Sequence, residues 1–137
     1  NYVVQRAVRS EIVAVVSQSH PLADEISVPV SRLRDEPILM ISQDFMFSGL
    51  VEEMCREAGF TPRVVFESSQ WDLLYEMALD GQGVAFFPRA LINKHPRPEA
   101  VCLELREPHT PWTLSVAYRK GRFITTPMRL FLDMCKE

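Results

Sequence analysis

Residues 81–88, Gly81-Gln82-Gly83-Val84-Ala85-Phe86-Phe87-Pro88, restrict the fold of this chain more than any other stretch. Two glycines allow a tight turn. Four apolar residues in a row then make a short strand with no polar face, and proline stops it because it lacks an amide donor. The segment before, Ser69 to Leu79, has the spacing of an amphipathic helix, and Pro88 to Asn93 can start a second. Helix, turn, buried strand and proline-led helix form one repeat of an α/β fold, with a strand covered on both faces. A strand ending at Phe87-Pro88 opens at the sheet edge where α/β proteins hold ligands.

Other segments repeat this grammar. Glu11 to Val16 is β-branched and almost wholly apolar, which predicts a buried strand, expected to be parallel. Pro21 breaks it into a loop. Val30 to Leu33 has room for one helical turn, and Pro37 to Ile41 is a strand with proline at its tolerated first position. Ser42 to Ser48 is a loop into a helix whose inner face is Leu50, Val51, Met54, Cys55 and Ala58. Ser48 is the expected N-cap and Gly59 the stop. Arg63 to Glu67 is a strand. Ser69 with Asp72 resembles a capping box, followed by a buried face of Trp71, Leu73, Leu74, Met77 and Ala78. Val101 to Leu105 alternates and is expected at an edge. Trp112 to Arg119 is a longer strand. Thr126 and Pro127 open a last helix with Met128, Phe131, Leu132 and Cys135 inward.

Composition excludes several classes. A net charge of −3 over 137 residues carries no nucleic-acid footprint. No apolar run approaches the ~18 residues of a membrane span. Cys55, Cys102 and Cys135 are odd in number and form no C-x-x-C pair, which disfavours a disulfide framework or a zinc site and points to a reducing, cytoplasmic compartment. His20, His95 and His109 lack metal-ligand spacing. No nucleophile elbow, P-loop or dinucleotide fingerprint is present, so no catalytic residue, metal or cofactor is expected. The abrupt start at Tyr2-Val3-Val4 suggests a fragment.

In order along the chain, five pieces make a family pattern. They are the strand ending in Ser19-His20-Pro21-Leu22-Ala23, Leu33 with Asp35-Glu36-Pro37-Ile38, Ala58-Gly59-Phe60, Gly81-Gln82-Gly83-Val84 through Pro88, and Tyr118-Arg119-Lys120-Gly121-Arg122. Together they resemble the effector-binding region of a LysR-type transcriptional regulator. That resemblance implies an α/β fold of the periplasmic-binding-protein type II kind. Two lobes are joined by crossing strands, with a small effector in the cleft between them. On this mapping residues 22–105 are the second lobe. Residues 1–21 and 106–137 supply crossing strands and part of the first, with Glu11–Val16 and Trp112–Arg119 as the crossing pair. The half-lobe and winged helix-turn-helix that precede this region in the family lie outside the chain. The resemblance also implies a homodimer and DNA contact through that other domain. A solute-binding receptor of the same fold is the alternative.

The candidate effector site follows from the strand-to-helix junctions. Phe45, Met46, Phe47 and Ser48 precede a helix whose first amides lack internal partners, a setting that favours an anion. Ser68 and Ser69 sit at the next junction, and Phe87 and Pro88 end their strand at the same edge. A small organic acid with an apolar body fits this set. Peroxide-sensing members of the family carry two cysteines on this helix. Cys55 resembles the second, but Met46 stands near the first, so no redox pair is expected.

Overall fold

The computed structural model describes residues 3–107 and 112–119 of the chain. The expected last helix, with Thr126, Pro127 and Cys135, and the loop residue His109 lie outside these residues. The described residues form two sheets. Strands β1 (Val3–Ser10) and β8 (Trp112–Arg119) pair antiparallel, from Val3 opposite Arg119 to Ser10 opposite Trp112. The remaining strands are β2 (Ile12–Val16), β3 (Ser27–Pro29), β4 (Pro37–Ile41), β5 (Arg63–Ser68), β6 (Val84–Pro88) and β7 (Val101–Arg106). They form a six-stranded sheet in the order β3-β7-β2-β6-β4-β5.

The β2 strand is buried along its whole length, and the reason is its place in the middle of this sheet. It runs antiparallel to both neighbours, β6 and β7, which corrects the expected parallel pairing. An apolar run satisfies burial on two faces whichever way its neighbours point, so its composition cannot report direction. Trp112–Arg119 pairs with β1. β7 is no edge strand. The three-residue β3 covers its outer side, in parallel, from Ser27 opposite Glu104. Its alternation reflects one wet face, with Leu103 and Leu105 buried and Glu104 exposed.

Three helices complete the unit: α1 (Met46–Glu57), α2 (Trp71–Leu79) and α3 (Arg89–Lys94). A 3-10 turn at Val30–Leu33 occupies the expected helical turn. α1 and α2 both end in a Schellman motif. After α1, Phe60 N–H donates to Cys55 C=O at 3.1 Å and Gly59 N–H to Arg56 C=O at 3.0 Å; after α2, Gln82 N–H donates to Met77 C=O at 3.0 Å and Gly81 N–H to Ala78 C=O at 3.1 Å. Gly59 and Gly81 hold φ of 97° and 81°, the left-handed geometry this cap requires. α2 lies against β2, β4 and β6. It buries Leu74, Tyr75 and Ala78, whereas Leu73, expected inside, is exposed. Short returns of this kind set the edge at which the junction residues gather.

Candidate functional site

β4 is parallel to β5 on one side and to β6 on the other, so all three strands end at one edge. The effector-site residues singled out from the sequence lie at the ends of β5 and β6 or just beyond β4 and β5, in the junctions and the first turn of α1. The ladder continues past the strands: Ser42 N–H donates to Ser68 C=O at 2.9 Å, and Gln43 N–H donates to the Glu67 carboxylate at 3.2 Å. Residues 42–43 and 67–68 are therefore held side by side. Each loop spends a serine hydroxyl on its own turn. Ser42 Oγ accepts from Asp44 N–H at 3.3 Å, and Ser68 Oγ from Gln70 N–H at 3.0 Å.

Neither expected N-cap is one. The α1 helix begins three residues early, with Phe45 at the cap position in an extended conformation and no side chain capping it. Phe45 and Phe47 are 4% and 2% exposed, and their burial pins the first turn. Ser48 is drawn inside as the third helical residue, where its hydroxyl donates back to Phe45 C=O at 3.1 Å. In α2 the cap position belongs to Gln70, also without a side-chain bond, and Ser69 lies exposed outside the helix. The two starts differ in charge. Asp72 occupies the first turn of α2, but the first turn of α1 holds no acid. The α1 start thus keeps the positive end of its dipole unanswered by any side chain of its own turn. Met46, in that turn, is 51% exposed.

Phe87 sits behind this edge at 1% exposure, and Pro88 is buried with it. The Phe87 ring meets Tyr75 and Trp71 edge-on, at centroid distances of 5.8 and 6.4 Å. Tyr75 in turn donates its hydroxyl to His95 C=O at 2.8 Å, and Trp71 lies 4.9 Å from the His95 ring. Met46 and Ser69 are thus exposed at the edge and Ser68 half-buried, while Phe45, Phe47, Ser48, Phe87 and Pro88 form the buried layer beneath. Tyr75 was legible only as the i+4 companion of Trp71. Arg89 had no sequence signal. It stands at the start of α3, ion-paired to Glu11 at 2.9 Å and Glu104 at 3.7 Å, partners 78 and 15 positions away.

Cys55 lies on the buried face of α1, and burial, with some help from Glu52, pushes its thiol from the ordinary 9.0 up to about 12. Such a thiol is neutral and a poor nucleophile at physiological pH. Cys102 is also raised by burial, and both are free. Among the described residues no cluster of His, Cys, Asp and Glu could hold a metal ion. No helix there is long and apolar enough to cross a membrane.

The whole sequence, residues 1–137, matches the LysR substrate binding domain. The chain belongs to that family. It is 31% identical over 130 residues to the uncharacterized HTH-type transcriptional regulator YwbI of Bacillus subtilis (strain 168), covering 95% of this chain and 43% of that protein. The chain therefore spans about two-fifths of the length of such relatives, which are transcriptional regulators and not enzymes. The effector binding domain of QuiR in complex with shikimate superposes with a TM-score of 0.73 at 18% identity, over 97% of this chain and 63% of that one. The BenM effector binding domain with its effector benzoate gives 0.69 at 18%, over 97% and 61%. The fold is the type II periplasmic-binding-protein kind, as the sequence resemblance implied.

Proposed function

We propose that this chain senses a small organic acid for a transcription factor of which it forms the effector-binding part. The carrying observation is the α1 start. It opens at the shared end of β4, β5 and β6, with no side-chain cap and no acid in its first turn. A carboxylate there meets the positive end of the helix dipole, over a floor of buried aromatic rings that suits an apolar body. The related folds that hold shikimate and benzoate support this class, since both ligands are carboxylates. The ligand lies between lobes, favours one lobe angle, and so shifts the population that binds DNA through another domain.

The regulator works as a homodimer in the cytoplasm. The edge strand β5 supports the first: Val64, Val65 and Phe66 are exposed along a strand edge unpaired among the described residues, a surface that soluble proteins normally cover. Free, partly or wholly buried cysteines suit a reducing compartment.

The test is calorimetric titration of the intact regulator with benzoate, shikimate and other organic acids, and with their neutral amides. The Ser48 hydrogen is already committed to Phe45 C=O, so the charge probe belongs at exposed Met46. Met46→Asp adds an acid to the first turn, which suits the helix but repels a bound carboxylate by about 1–2 kcal/mol, roughly a tenfold loss of acid affinity. Amides binding as tightly as acids, or acid affinity indifferent to Met46→Asp, would refute the site.

A further inference from the structure

Two connectors lead between the six-stranded sheet and the β1–β8 pair; the inbound one and the end of β7 lie at the edge just described. On the way in, Glu11 is the single residue between β1 and β2. On the way out, β7 ends at Arg106, and Glu107 takes φ of 55°, a left-handed conformation uncommon for a residue with a Cβ. Arg89 touches the inbound connector and the strand that leads to the outbound one. Its N–H donates to Glu11 C=O at 2.8 Å, and its Nε donates to the Glu11 carboxylate at 2.9 Å. Its Nη2 stands 3.7 Å from the Glu104 carboxylate, three residues before Glu107. A rigid guanidinium fork can serve two carboxylates at once in a way an ammonium cannot.

We infer that Arg89 is a positioning residue that ties the inbound connector and the outbound strand β7 to the start of α3, and so sets the stiffness of the joint between the two sheets. All three side chains are partly exposed, so the pairs add little to global stability. Their effect is local, on the segments they touch. Arg89 directly follows Phe87-Pro88, so anything pressing on those residues is one peptide from the clamp. The use of the clamp in signalling rests on the effector-sensing reading; the clamp as a joint does not.

Hydrogen exchange read by mass spectrometry on the intact protein, without ligand, tests it. In Arg89→Ala, exchange in residues 3–16 and 101–107 rises about 3- to 10-fold, while residues 37–79 keep their rates. Arg89→Lys, which keeps the charge but not the fork, restores part of the protection around Glu11 and none around Glu104. Unchanged rates in both segments overturn the inference, and so does an equal rise in 37–79, which would mark a general loss of stability. Should Arg89→Ala fail to fold, Glu104→Gln removes the outbound arm alone; exchange then rises in 101–107 only, and no rise there overturns the clamp. Because no effector is added, a failed clamp and a failed effector site are separate results.

Discussion

Gly83 and Gly49 should respond to the same substitution with opposite signs. Gly83 precedes β6 where that strand lies against β4, with Val84 opposite Ile38 and Ala85 opposite Leu39. A Cβ at Gly83 would stand 2.8 Å from Pro37 C=O and 3.0 Å from Leu39 Cγ. The carbonyl belongs to a strand paired on both sides and cannot retreat without disturbing two ladders. Its φ is ordinary, so the cost is steric. Overpacking of this kind costs about 1–3 kcal/mol. Loss of unfolded-state freedom returns roughly 0.4–1 kcal/mol. Gly83→Ala should therefore destabilise by about 1–2 kcal/mol, a fall in Tm of roughly 4–10 °C for a domain of this size. Gly49, inside α1, has nothing within 4 Å of the same added atom. There Ala gains about 0.5–1 kcal/mol from helix propensity alone. Thermal and urea unfolding of the two variants, read by circular dichroism, gives the comparison. A Gly83→Ala protein as stable as Gly49→Ala would refute the β4–β6 packing from which the figure comes.

The remaining expectations concern the core and the thiols. Leu74→Ala, at a buried site under α2, should cost about 2–5 kcal/mol, whereas Leu73→Ala on the exposed side should cost under about 0.5 kcal/mol, and equal midpoints in urea would show the helix faced wrongly. Mild hydrogen peroxide should leave Cys55 reduced, since its thiol is buried and neutral; a count of free thiols that falls by two per chain through one intramolecular bond would contradict this. Stability should also fall in alkali. The Cys55, Cys102 and Tyr75 groups all titrate higher when folded, so they favour the folded state below their unfolded pKa values and lose that contribution as pH rises, for Cys55 between its ordinary 9.0 and about 12. Denaturation midpoints that hold steady from pH 8 to pH 11 would count against that burial.

Strands were legible wherever several apolar residues follow one another without interruption, as in 12–16, 37–41 and 84–88. Continuous burial is a strong local demand. Partnership is not local, and so direction and neighbours escaped. β1 has a weak pattern, Val-Val-Gln-Arg-Ala-Val-Arg-Ser, and its partner lies more than a hundred residues along the chain. β5, a strand as expected, shows that composition does not report burial either. Its Val-Val-Phe core has the composition of an inner strand, yet all but its last residue are exposed because it lies at the end of the sheet.

At the candidate site, residue type was informative and atom-level role was not. The sequence places small polar residues and phenylalanines at three strand ends, and the parallel β5-β4-β6 order brings those ends to one edge. Which hydroxyl does what depends on where each helix begins, and apolar packing decides that. Burial of Phe45 and Phe47 starts α1 at Met46 and turns Ser48 from a cap into an inward donor. The same arrangement commits Ser42 and Ser68 to their own turns. Two of the three serines that made this edge conspicuous in the sequence, Ser48 and Ser68, are therefore occupied in shaping it. On the proposed reading, specificity for charge then falls to the backbone and dipole of α1, and its first turn, with no acid of its own, is where a carboxylate would gain most.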